Sequence, residues 1–105
     1  MKFRIYQIKD IANTSYAFRG YDPNKFNCAD YGCVYEDEII VAADKTQLEI
    51  CEELFYIFNM RRPHDFTGHS LSMSDVIELI NQGRSKFYYC DMCGFQRLPY
   101  DHFED

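Results

Sequence analysis

Apolar residues recur at spacings of three and four through Thr46 to Met60, placing Leu48, Cys51, Leu54, Phe55 and Phe58 on one helix face. Thr46 and Glu49 stand in a capping-box relation at its start, and Glu49, Glu52, Glu53 and Tyr56 form its wet side. Phe3 to Ile8 alternates in strand-forming types, and bulky residues on both sides point to an inner strand. Asp30 to Val41 reads as a hairpin turning at Asp37 and Glu38, with Ile39 to Val41 as its second strand. Lys86 to Cys90 and Phe95 to Leu98 read as strands joined by the turn Asp91–Gly94 and ended by Pro99. Tyr16 to Arg19 is a short strand or an irregular segment pinned by its rings, and Gly20 to Asn24 is a loop.

Phe58 to Ile80, FNMRRPHDFTGHSLSMSDVIELI, is the most densely written stretch. Pro63 ends the first helix near Met60 to Arg61. Gly68 suits a tight turn or a close approach of two segments. Ser72 and Asp75 are spaced as a second capping box, so Val76 to Ile80 is expected to open a second helix that stops at Asn81–Gln82–Gly83. The expected fold is one α+β domain over residues 1–105, a small, mostly antiparallel sheet packed against two helices. The polar tail from about Tyr100 is expected to fray.

Composition narrows the function. Eleven Lys and Arg stand against seventeen Asp and Glu, a net charge of −6. The imbalance is concentrated between residues 26 and 60, where eight carboxylates face Lys45 alone. That disfavours direct nucleic-acid binding, which relies on Lys and Arg to neutralise phosphates. Glu36, Asp37, Glu38, Asp44, Glu49, Glu52 and Glu53 are instead the candidate contact for a basic protein surface, although a solvated face explains the same charges. No window is apolar enough for a membrane span, and MKFRIYQIKD is not a signal peptide, so a cytoplasmic location is expected. Five cysteines, an odd number, argue against a disulfide framework.

Two motifs carry possible chemistry. Cys90-x-x-Cys93 has half a zinc site's spacing, and Cys28, Cys33 or His102 would have to complete it. Two plain thiols in a turn is the favoured reading, and no metal or other cofactor is expected. His69 beside Ser70, with Asp65 and Asp75 near in sequence, admits a hydrolase reading, but no nucleophile elbow is present. A hydrogen-bonding role for His69 in fixing the turn, with Ser72 or Ser74 as a cap, is preferred. Arg61–Arg62 is assigned to the helix C-terminus.

In order, YQIKD, YAFRGYD, FNMRRPHDFTGHSLSMSDVIEL and FYYCDMCGFQRLP resemble the YodL-like domain, most specifically at Gly68 to Ser72 followed by Ser74, Asp75 and Val76. That resemblance implies a protein of bacterial plasmids and conjugative elements and no established catalytic activity. A bare single-domain chain of this size resembles anti-CRISPR inhibitors of type II effectors. Cys90 and Cys93 depart from the family pattern, so any cysteine chemistry would belong to this chain. The expected function is non-enzymatic inhibition of a type II CRISPR effector nuclease, alone or with its guide RNA. An accessory domain of a conjugative element, a small nuclease or hydrolase, and a zinc adaptor follow in that order. Exposed Tyr56 and Tyr100 leave room for a homodimer.

Overall fold

The computed structural model describes residues 1–100 and Phe103. A five-stranded antiparallel sheet runs in the order β2-β1-β3-β4-β5, and one α-helix packs against it. The strands are β1 (Lys2–Ile8), β2 (Tyr31–Glu38), β3 (Val76–Asn81), β4 (Arg84–Asp91) and β5 (Gly94–Arg97), and the helix is α1 (Gln47–Met60). Short 3-10 turns at Ile11–Asn13 and Cys28–Asp30 lie in the long segment between β1 and β2. The fold is α+β, with one α-helix among the described residues where two were expected.

Both faces of the sheet are covered. Phe3, Ile5, Ile77, Leu79 and Tyr88 meet α1 and the chain that follows it, through Ile50, Cys51, Leu54, Phe58, Phe66 and Leu71. On the other face Tyr6, Ile8, Tyr31, Val76, Phe87, Tyr89 and Leu98 are roofed by Tyr16, Phe26 and Phe103. β1 is therefore an inner strand buried on both sides, as its bulky residues indicated. Tyr16–Arg19 is irregular and is held by the buried Tyr16 ring, whose hydroxyl donates to Asp30 at 2.8 Å. Of the tail, Phe103 stacks on Phe87 at 4.6 Å. Tyr100 stacks on Phe26 at 5.6 Å, while the rest of the expected fraying and His102 as a metal ligand fall on residues outside those described.

α1 begins as expected. Thr46 accepts from the Glu49 amide while Glu49 reaches back to the Thr46 amide. It ends at Met60, before Pro63. Its buried stripe is Ile50, Cys51, Leu54 and Phe58, rotated from the expected one, so Leu48 and Phe55 are exposed.

The second expected helix is strand β3. Ser72 and Asp75 do bond as a local pair, Ser72 N–H to the Asp75 carboxylate and Asp75 N–H to the Ser72 carbonyl, but they close a turn. The reason lies in the residues that follow. Val, Ile and Ile are β-branched, the run is short, and it sits in the middle of the sheet with both faces buried. Glu78 disguised this, because a carboxylate in such a run suggests a wet helix face. In the fold it is buried and accepts from Arg4, Tyr6 and Ser85. Asn81–Gln82–Gly83 is correspondingly a hairpin turn rather than a helix stop. Gln82 and Gly83 both have positive φ, at 52° and 76°, the two-residue turn that matches strand twist.

The expected hairpin over Asp30 to Val41 is also corrected. Tyr31 to Glu38 is one strand against β1 with an irregularity opposite Ile5/Tyr6, and Ile39 exchanges backbone bonds with Met1. Asp37 and Glu38 thus lie on an edge strand, not in a turn.

Candidate functional site

The segment Gly68 to Asp75 ties four parts of the chain together. Asp75, 1% exposed, accepts from the Ser72 amide at 2.8 Å and from Gln7 Nε2 of β1 at 3.1 Å. Gln7 Nε2 also donates to the His69 carbonyl at 2.9 Å. Gly68 passes so close to Gln7 that a Cβ there would stand 2.4 Å from Oε1, so close approach, not a special backbone angle, requires this glycine. Ser74 is in the left-handed region at φ 81°, and its hydroxyl accepts from the amide of Phe18, itself at φ 61°. Two side-chain-bearing residues in that region cost energy, and the contacts around them hold them there. The Tyr31 hydroxyl donates to the Ser74 carbonyl at 2.6 Å, and Ser74 N–H donates to the Cys90 carbonyl at 2.9 Å.

His69 lies at the mouth of this clamp with its side chain one-third exposed and the Phe18 ring edge-on at 5.5 Å. Both Gln7 hydrogens are used on carbonyl and carboxylate, so Nδ1 carries the ring proton and donates to the Ser70 carbonyl at 2.7 Å. Nε2 faces Asp75 Oδ1 at 3.8 Å. Neither nitrogen is directed at a nucleophile, and the Ser70 hydroxyl is held by Arg62. Ser72 donates its hydroxyl to the Ser70 carbonyl. Ser72 and Ser74 therefore cap no helix, and Arg62 serves Ser70 and the Phe66 ring instead of the helix C-terminus. Asp65 lies apart from His69 in this arrangement and accepts from Tyr35.

Burial, the largest influence, pushes the Asp75 carboxyl up to about 7, against the Ser72 amide, His69 and Gln7. The folded chain thus keeps a proton that an unfolded Asp, at about 3.9, has released. Stability tied to that proton is complete below the unfolded value and is lost as the pH rises through the folded one. Glu36 and Glu49, held low chiefly by Arg4 and by the Thr46 amide, act with the opposite sign and in a more acidic range. Asp75→Asn imitates the protonated carboxyl. Its urea midpoint should vary less than that of the wild type between about pH 5 and about pH 8. Equal slopes would show that Asp75 titrates normally.

The cysteines do not assemble. Cys90 is buried, near Cys51 under α1, and burial pushes its thiol up to about 12. Cys93 is exposed at the turn. Among the described residues no group of three or more His, Cys, Asp or Glu converges as a metal site.

The acidic candidates divide. Glu36 pairs with Arg4 at 2.6 Å and Lys2 at 3.1 Å, Glu53 pairs with Lys45, and Glu49 closes the capping box. Asp37, Glu38, Asp44 and Glu52 are exposed and form no ion pair among the described residues. The Tyr35 hydroxyl donates to Asp65 at 3.0 Å and lies 3.3 Å from Asp37, which brings a residue from beyond α1 onto the acidic edge of β2. That addition depends on tertiary contact and has no sequence signal. Gln7 and Phe18 were likewise missed as parts of the clamp, although a polar residue at an inward strand position is a signal.

The model of the YodL-like domain matches residues 2–100. The chain belongs to this family. The match spans every strand and the helix, so the clamp and the acidic edge both lie within the YodL-like domain. No significant match to a curated protein or a solved structure was found. No helix among the described residues is long and apolar enough to cross a membrane.

Proposed function

We propose that this YodL-like domain is a non-enzymatic binding protein of a bacterial mobile element, acting in the host cytoplasm. Its target is a type II RNA-guided CRISPR nuclease, whose basic guide- or DNA-binding surface it occludes. The observation that carries this reading is the set of exposed carboxylates without ion-pair partners among the described residues, Asp37 and Glu38 on the edge strand and Asp44 before the start of α1. Nucleases of this class grip their heteroduplex in a positively charged channel, the complementary partner for such a surface. The hydrolase alternative is weakened because His69 Nδ1 bonds the Ser70 carbonyl, Nε2 faces the Asp75 carboxyl and no nucleophile, and the Ser70 hydroxyl is held by Arg62. An accessory role in a conjugative element would use the same acidic surface on a different partner.

The test is DNA cleavage by purified type II effectors, with the protein added before or after guide RNA. Inhibition only when it is added first places it on the guide-loading surface, and inhibition in both orders places it on the DNA channel or nuclease lobes. A shortened guide would overturn the non-enzymatic reading. No effect on several effectors would overturn the target and leave the accessory-domain reading ahead.

A further inference from the structure

At the edge of the sheet away from β2, strand β5 is paired on one side only among the described residues. The hydrogen-bond phase of that strand is fixed by its neighbours. Cys90 bonds toward β3 through its exchange with Asp75 and Ser74, and Leu98 N–H donates to the Phe87 carbonyl. Tyr89 and Gln96 therefore form a hydrogen-bonded pair, and the peptide groups of Phe95 and Arg97 point outward from the sheet. Exposed outward-facing peptide groups of this kind are a template for another strand.

The side chains beside this edge are apolar and carry both signs of charge. A cleft of about 340 Å³ opens between α1 and the β4–β5 turn, lined by Glu52, Phe55, Cys90, Met92 and Phe95 among others. Phe55 and Phe95 meet edge-to-face at 6.2 Å, and Met92 is 74% exposed. Arg97 lies opposite Tyr88, whose hydroxyl bonds Gln47 of α1, so it is on the helix-covered face, as is Phe95. Neither Glu52 nor Arg97 has an ion-pair partner among the described residues.

We infer that β5 with the flanking side of α1 is a two-fold interface for a second copy of this chain. Place the axis at Gln96. Phe95 of each copy then stands opposite Arg97 of the other, and these are the two residues whose peptide groups face outward, so both pairs are hydrogen-bonded pairs. The same register brings each Arg97 beside the other copy's Phe95, toward the cleft that contains Glu52. A two-fold interface requires a surface that complements itself, and Glu52 with Arg97 supplies it. The Phe95 and Phe55 rings become its apolar centre, and two sheets join into one of ten strands. Glu52, one of the acidic candidates in the sequence, thereby belongs to the dimer and not to the surface formed by Asp37, Glu38 and Asp44. β2, at the opposite sheet edge, remains open on both copies.

Sedimentation equilibrium across the micromolar range tests this with the full chain. The wild type should associate as a dimer. Glu52→Arg and Arg97→Glu should each weaken the dimer by about tenfold or more, and the double variant should recover it, because the swapped pair attracts again. Far-UV circular dichroism of each variant separates loss of dimer from loss of fold. A monomer throughout the range, or a dimer insensitive to all three variants, would overturn the interface. Since none of these substitutions touches Asp37 or Glu38, failure here leaves the nuclease-binding surface standing.

Discussion

Phe58→Ala is expected to lower the unfolding free energy by about 3–5 kcal/mol, among the largest single losses in this chain. Phe58 is 1% exposed and fixes the C-terminal turn of α1 to three segments. Its ring meets Phe3 of β1 at 6.0 Å, Tyr35 of β2 at 5.2 Å and Phe66 beyond Pro63 at 5.0 Å, each nearly edge-on. Such ring pairs contribute roughly 0.5–1.5 kcal/mol apiece beyond the area they bury, and a small cavity adds to the loss. Domains of this size have about 5–15 kcal/mol of total stability, so the variant sits near the limit of folding. Urea denaturation measures the loss, with Phe58→Leu as the milder variant should alanine fail to fold. A loss under about 1 kcal/mol for alanine would mean that the ring cluster does not hold α1 to the sheet.

Gly68→Ala is expected to cost about 2–3 kcal/mol, a large effect for one methyl group. The new Cβ would stand 2.4 Å from Gln7 Oε1 and 3.0 Å from the Phe66 ring. A flexible side chain could normally swing away. Gln7 is 4% exposed and cannot move without abandoning the Asp75 carboxylate and the His69 carbonyl. Each abandoned buried acceptor costs about 1–3 kcal/mol. A double-mutant cycle isolates the cause. Gln7→Ala removes the obstacle, so Gly68→Ala should cost much less in that background than in the wild type. Equal costs in both backgrounds would show that Gly68 is needed for some reason other than Gln7.

Much of this fold is legible in the residues because local and tertiary preferences agree. Thr46 and Glu49 announce α1, Pro63 ends it, and Phe3 to Ile8 reads as an inner strand because both of its faces carry large side chains. Val76 to Ile80 misleads for a physical reason. The Ser72–Asp75 pair makes one of the two capping-box bonds, from the Ser72 amide to the Asp75 carboxylate, and Glu78 imitates a wet helix face until its packing beneath Arg4 and Tyr6 is seen. The Gln82–Gly83 turn was the available counter-signal, since two residues between apolar runs close a hairpin.

The candidate surface was legible in outline and not in detail. Counting carboxylates finds the excess between residues 26 and 60, but charge count alone does not distinguish Glu36, already neutralised by Lys2 and Arg4, from Asp37 and Glu38 beside it. Strand alternation separates Asp37 from Glu36 once the pairing of β2 with β1 is known. Glu38 shares the face of Glu36 and differs only because Lys2, its register partner, reaches diagonally to Glu36. The clamp around Asp75 was foreseen as a turn fixed by His69. Its reach to Phe18, Tyr31 and Cys90 lies in long-range contacts that no local pattern encodes.

The carboxylates on the β2 edge are proposed to bind a basic surface of a type II effector. This binding is tested most directly by measuring effector-catalysed DNA cleavage in the presence of wild-type protein and of the Asp37→Lys/Glu38→Lys variant, at low and high salt. Both side chains are exposed and neither holds an ion pair among the described residues, so the variant should fold as the wild type does. Wild-type inhibition should weaken with salt, as interactions between charged surfaces do. The variant should lose about tenfold or more in inhibitory potency and most of that salt dependence. Undiminished inhibition by a folded variant, with the same salt dependence, would contradict the claim.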